Sequence, residues 1–172
     1  PGTRLDFGGI AKGYAVDQAL AALRSAGATA GVVSLGQSSV GLFGTSIDLE
    51  VRDPEREPGE PGKPWAVFRV HSGCVSTSGS DQRGPHILDP RSGEYATGVL
   101  SVTVLAATGV EADALSTAAF ALGAGPGLRL IEERGAAGFV LLREGGASVL
   151  RATPGFADEH ALKLTKRVRL LE

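Results

Sequence analysis

The amino-acid sequence predicts an α+β fold, with mixed or antiparallel sheets packed against helices, over residues 1–172 as a single domain. Three observations carry that expectation. Short apolar runs bounded by glycine recur in groups, stretches with helical spacing and stop signals separate those groups, and no internal repeat is present. The chain is 42% apolar and 21% charged, a globular composition at a length that supports a sizeable core.

The elements follow in order. IAKGYAVDQALAALRSAG reads as a helix that places Ile10, Tyr14, Ala15, Leu20 and Leu23 near one face, with Gly27 as its C-terminal stop. TAGVVSLG is an apolar run of strand type ending at Gly36. SVGLFG and IDLEVRD continue as strands, the second turning Ile47, Leu49 and Val51 inward. The run from Asp53 to Pro64, rich in proline and glycine, is a surface excursion between strands. WAVFRV and GCVSTSG supply further strands, and HILDPRSGEYA reads as two short strands around an Asp89-Pro90 turn. LSVTVLA is a strand, and TGVEADALSTAAFALG a helix with a capping box of Thr108 and Glu111. A helix from about Gly125 to Arg134 leads to the strands GFVLLRE and ASVLRA, joined through Gly145-Gly146, and the tail from Gly155 reads as an edge strand.

Composition excludes several function classes. The net charge of -2, without a basic run, argues against nucleic acid, and the scarcity of aromatic residues argues against a base-stacking platform. Cys74 is the only cysteine, which rules out an internal disulfide and a multi-thiolate zinc site. His71, His86 and His160 are too scattered for a metal cluster, and no apolar stretch reaches the ~18 residues of a membrane helix.

Four places remain where chemistry could sit. Asp113 and Thr117 lie four apart on one helix face and offer two hard oxygens that suit Mg²⁺; a dipole-serving carboxylate and a surface threonine are the alternative. Gly8 and Gly9 precede a helix N-terminus, where backbone groups approach a phosphate or metal closely, and Lys12 stands in the first turn beyond them. A glycine turn followed by a solvated lysine explains the same residues. His86 is a candidate general base expected to be partly buried beside Ile87 and Leu88, whereas Asp89 is ordinary turn chemistry. Ser76 to Ser80, STSGS, reads either as a phosphate-facing loop or as a plain turn. GQSSVG is not G-x-S-x-G, and no strand-elbow-helix pattern surrounds it, which argues against a serine-hydrolase elbow.

The order of these motifs is more specific than any of them. LDFGGIAKGYAVD, SLG before a strand, STSG, HILDPRSG and EADALSTAAFALG together resemble the ApbE family of FAD:protein FMN transferases, from about Leu5 to Gly146. The resemblance implies an ApbE-like core related to the T-fold, of which this chain is the C-terminal portion, the N-terminal part being missing. It implies a Mg²⁺-dependent enzyme with FAD as substrate. The FMN moiety goes through a phosphoester bond to a threonine or serine of an acceptor flavoprotein, releasing AMP. Hydrolysis of FAD to FMN and AMP, or flavin binding without catalysis, are the alternatives. By resemblance, Gly9, Asp113 and Thr117 match metal ligands, Lys12 and Ile87 match substrate contacts, and His86 matches a catalytic base. Gly8 and Ser78 join the substrate side. The resemblance also implies the extracytoplasmic face of a bacterial membrane, reached through an upstream lipid anchor. Gln37-Ser38 stands where the family usually has a second glycine and then Asn or Asp.

Overall fold

The computed structural model describes residues 2, 4–54, 62–79, 84–165 and 169–171. Most of the Pro/Gly-rich excursion (55–61), the segment 80–83 and part of the basic tail (166–168) lie outside the described residues. Helix α1 (Ala11–Ser25) is followed by β1 (Gly31–Leu35), β2 (Ser39–Phe43), β3 (Ile47–Val51), β4 (Ala66–Val70) and β5 (Gly73–Gly79). Then come β6 (Val99–Ala106), α2 (Gly109–Leu122), α3 (Ala124–Glu133), β7 (Ala137–Glu144) and β8 (Ala147–Ala152). A short α4 (Phe156–Glu159), β9 (Lys163–Leu164) and β10 (Arg169–Leu171) complete the order.

Among the described residues, seven strands form one sheet in the order β1-β2-β5-β6-β7-β8-β10, and β3-β4-β9 form a second. All pairs are antiparallel except β8 with β10. The large sheet is therefore mixed, as the sequence predicts. Alternation along its strands sorts two cores. Val140 and Leu142 of β7 join Val16, Leu20, Leu115 and Ile131 on the helix side, whereas Phe139 and Leu141 join Trp65, Phe68 and Val70 on the small-sheet side. A period of two lets one strand feed both layers. Phe68, Phe139 and Phe156 meet edge-on or tilted with ring centroids 5.2–5.7 Å apart. Cys74 of β5 faces the helices and Val75 the small sheet, so Ser76 and Ser78 return to the helix side.

Several expectations change. The buried face of α1 is Gly13, Val16 and Leu20, while Tyr14 and Ala15 are exposed. Glycine decides this: a Cβ on Gly13 would lie 2.0 Å from the Gly109 carbonyl oxygen, so α1 and α2 touch through their backbones. GCVSTSG is a strand, as expected, so STSG is neither the phosphate-facing loop nor the plain turn that its hydroxyls also suggest: Ser76 pairs with both β2 and β6, and Ser78 and Gly79 pair with β6. HILDPRSGEYA forms no paired strands but one bridge, Leu88 to Tyr95. Bonds from the Asp89 amide to the Glu94 carbonyl and from the Ala96 amide to the Ile87 carbonyl flank that bridge, and the Asp89 carbonyl, accepting from the Ser92 and Gly93 amides, closes the turn beyond it. The tail contributes α4 and strands at two sheet edges rather than one edge strand. No helix among the described residues is long and apolar enough to cross a membrane.

Candidate active site

Helix α1 starts without a side-chain cap and with no acidic residue in its first turn. Its early amides still need acceptors. Phe7 takes the Ile10 and Ala11 amides through its carbonyl. The Gly13 amide, which a regular helix would direct at the Gly9 carbonyl, instead donates to Asp113 Oδ2 at 3.0 Å. Asp113 belongs to α2, so one helix caps the other, a favourable placement for a carboxylate at a positive helix end.

The reverse contact also exists. Thr108 caps α2 locally by accepting from the Glu111 amide at 3.3 Å. Asp17 of α1 accepts from the Gly109 amide at 2.6 Å and the Val110 amide at 2.9 Å. Each helix thus supplies a carboxylate to the start of the other. Sequence reading missed Asp17, whose only local signal is its place four residues after Gly13, one turn further along the same face. The Cys74 thiol donates to Asp17 Oδ1 at 3.7 Å, and burial, aided by the Asp17 charge and this bond, pushes its pKa up to about 12.

Asp113 is 1% exposed, not at the surface. Its Oδ1 accepts from Ser76 Oγ at 3.1 Å and has Lys12 Nζ at 3.5 Å. That lysine contact is longer than the ~2.7–2.9 Å of a close charge-assisted bond, and the Lys12 side chain is 36% exposed. One turn on, Thr117 Oγ1 lies 3.2 Å from Ser78 Oγ, which also bonds Ser116 Oγ at 2.9 Å. Gly9 packs on the same threonine: a Cβ there would lie 3.0 Å from Thr117 Cγ2 and 3.1 Å from its Oγ1. The stem of Lys12 runs past Gly36, where a Cβ would lie 3.9 Å from Lys12 Cδ. Gly36 and Gln37 both take positive φ (59° and 61°) in the turn joining β1 to β2.

Gly9, Lys12, Ser78, Asp113 and Thr117 are therefore brought together, although far apart in sequence. Gly8 lies at the same turn, but its amide donates to Asp6 Oδ1 at 2.7 Å. Ile87 packs against the helix-side core. His86 departs from expectation: it is exposed, its Nδ1 lies 2.9 Å from the Gly84 carbonyl, and it shares no hydrogen bond with Lys12, Asp113 or Thr117. In the turn that follows, hydrogen bonds from Arg91 hold the Asp89 carboxyl below its usual range. Beside the cluster, Phe7, Ile10, Ala11, Tyr14 and Val110 line an apolar cleft of about 350 Å³.

The donor set fits a magnesium ion. Carboxylate, hydroxyl and carbonyl oxygens are the ligands that a hard cation takes, and Mg²⁺ is bound by few protein groups. The Gly13 amide, turned toward Asp113, does not occupy the Gly9 carbonyl, and the lack of a Cβ at Gly9 lets that backbone reach Thr117. No cluster of three or more His, Cys, Asp or Glu that could hold a metal occurs among the described residues, so a site here rests on this mixed oxygen set.

The chain is similar to known proteins in sequence and in fold. Residues 1–140 match the model of the ApbE family. A protein named FAD:protein FMN transferase from Rhodobacter capsulatus is 32% identical over 162 residues, covering 90% of this chain and 30% of that protein. The crystal structure of Pseudomonas stutzeri flavinyl transferase ApbE, apo form, is 33% identical with a TM-score of 0.72, covering 90% of this chain and 53% of that one. The ApbE protein of Thermotoga maritima is 35% identical with a TM-score of 0.70, covering 84% and 50%. The chain spans about half the length of these solved relatives. With the family model matched over most of its residues and the fold shared with two solved members, the chain belongs to the ApbE family.

Proposed function

We propose that this chain carries the metal-binding and diphosphate-binding part of an enzyme that transfers the FMN moiety of FAD to a threonine or serine of an acceptor flavoprotein, with AMP as leaving group. One observation carries the reading: Gly9, Lys12, Asp113 and Thr117 converge where α1 begins against α2. Gly9 through its carbonyl, Asp113 through its carboxylate and Thr117 through its hydroxyl would hold Mg²⁺. The bound ion supplies charge neutralisation at diphosphate oxygens.

The remaining work falls to protein groups. Lys12 is long and partly exposed, and it adds positive charge beside the same oxygens. Phe7, Ile10 and Tyr14 offer apolar surface suited to a planar ring system. His86 is exposed and would meet an acceptor hydroxyl from solvent; with Nδ1 held by Gly84, Nε2 is the nitrogen left to take that proton. The bond formed joins the acceptor oxygen to the FMN phosphorus, and the bond broken is that phosphorus to the AMP oxygen.

An exposed His86 favours a second reading, in which water is the acceptor and the products are FMN and AMP. Mass analysis of an acceptor protein incubated with FAD, Mg²⁺ and the full-length protein separates the two. FMN attached to a hydroxyl residue supports transfer. AMP and free FMN with an unmodified acceptor support hydrolysis. The extracytoplasmic location is part of the same proposal, and cell fractionation tests it.

A further inference from the structure

The proposed ligand Asp113 is held by more than the start of α1. Ser39 of β2 stands directly opposite Ser76 of β5 in the sheet register, and their hydroxyl oxygens are 3.2 Å apart. Ser76 Oγ in turn donates to Asp113 Oδ1 at 3.1 Å. All three are nearly closed to solvent, at 2%, 1% and 1% exposure.

An ionised carboxylate only accepts. The single Ser76 proton is thereby committed to Asp113, and the Ser39 hydroxyl must donate to Ser76. The chain of hydrogen bonds has one direction, ending on Oδ1. The other carboxylate oxygen is fixed by the Gly13 amide. Donors from two separate elements, β5 and α1, therefore hold the two oxygens and oppose rotation of the carboxylate about its own bond.

We infer that Ser76, oriented by Ser39, is a positioning residue that presents Asp113 to a divalent cation. The inference rests on the metal reading above and adds to it a group that never touches the ion. Hydrogen-bond partners behind metal-ligating carboxylates typically change affinity about 10–100-fold when removed. The strand register supplies a matched control: Thr77 lies between Ser76 and Ser78 on the opposite face, paired with Thr103 Oγ1 at 2.9 Å.

The test is Mn²⁺ binding to the 172-residue chain, read from the loss of the free-ion signal in electron paramagnetic resonance, with thermal unfolding of every variant alongside. Ser76→Ala is expected to weaken Mn²⁺ by about tenfold or more. Thr77→Val, which breaks a hydroxyl pair of the same kind on the other face, keeps wild-type affinity. Ser39→Ala gives a smaller loss than Ser76→Ala, and it decides the question if Ser76→Ala does not fold. Wild-type affinity in Ser76→Ala (or in Ser39→Ala as substitute), with binding abolished in Asp113→Asn, overturns the inference and leaves the metal reading standing. Equal Mn²⁺ binding by wild type and Asp113→Asn, or no binding by wild type, overturns the metal reading and the inference with it.

Discussion

Gly13→Ala tests the contact on which the site depends. A Cβ at this position would lie 2.0 Å from Gly109 O, 2.4 Å from Gly109 C and 2.8 Å from Asp113 Cβ. The nearest of these atoms belong to backbone, so no side chain can swing aside. The helices must separate by about 1 Å before the shortest contact reaches 3.0 Å. A shift of that size takes the 3.0 Å bond from the Gly13 amide to Asp113 beyond hydrogen-bond range. Overpacking costs about 1–3 kcal/mol, and a lost hydrogen bond to a charged group about 1.5–3 kcal/mol. The better helix propensity of alanine returns about 1 kcal/mol. The net is roughly 3 kcal/mol, equivalent to about 6–12 °C in Tm for a chain of this size. Gly125→Ala is the control: its nearest heavy atom beyond its neighbours is the Arg129 guanidinium at 3.9 Å, so that change keeps or slightly raises Tm. Circular dichroism melts of the two variants decide the matter. A Gly13→Ala melt within about 2 °C of wild type would show that the backbone contact is soft and does not fix the two helices against each other.

Three further outcomes follow from the same packing. Asp17→Ala leaves the Gly109 and Val110 amides without their acceptor, and is expected to destabilise by about 1–3 kcal/mol in urea titrations, with faster amide exchange at the start of α2. Phe139→Ala opens the aromatic cluster with Phe68 and Phe156 and should cost about 3–5 kcal/mol by the same assay. Cys74 gives a pH signature. Its folded pKa of about 12 lies above the ordinary thiol value of 9.0, so the folded state retains a proton that the unfolded chain loses. Its stabilising contribution is complete below about pH 9 and is lost as pH rises toward 12, by up to about 1.4 kcal/mol per pH unit. Urea midpoints from about pH 7.5 to about pH 10.5 should therefore fall more steeply for wild type than for Cys74→Ala.

Local chemistry made much of the fold legible. Thr108 and Glu111 mark the start of α2, and the Thr108 hydroxyl does accept from the Glu111 amide. The alternation of Ile47, Leu49 and Val51 is the alternation of β3. Long-range contacts were not legible. Apolar spacing alone pointed Tyr14 inward, but the Gly13–Gly109 approach, 96 residues apart in the chain, rotates α1 so that glycine rather than tyrosine faces α2. GCVSTSG is legible as a strand, although the serines and glycine of STSG fit a loop or turn equally well; pairing with β6 throughout, and with β2 at Ser76, keeps them in the strand. That pairing carries Ser76 and Ser78 onto the α2 face. Asp113 and Thr117 were visible as a one-turn pair, and Gly9 and Lys12 as residues at a helix start. Their convergence came from motif order and not from spacing. The Asp17 cap left no local trace beyond helical position, since its partners lie at Gly109 and Val110. His86 was expected inward from its apolar neighbours, and only Ile87 follows that expectation.

Under the proposed function, Asp113 organises divalent-cation chemistry on the diphosphate of FAD. The most direct measurement is AMP release from FAD by the full-length protein, with and without Mg²⁺, in wild type and Asp113→Ala. Release is expected to require Mg²⁺ and to fall by at least about 10²-fold in the variant, as when a group supporting transition-state charge is removed. Release that persists without Mg²⁺, or that Asp113→Ala leaves unchanged in a folded protein, would contradict the claim.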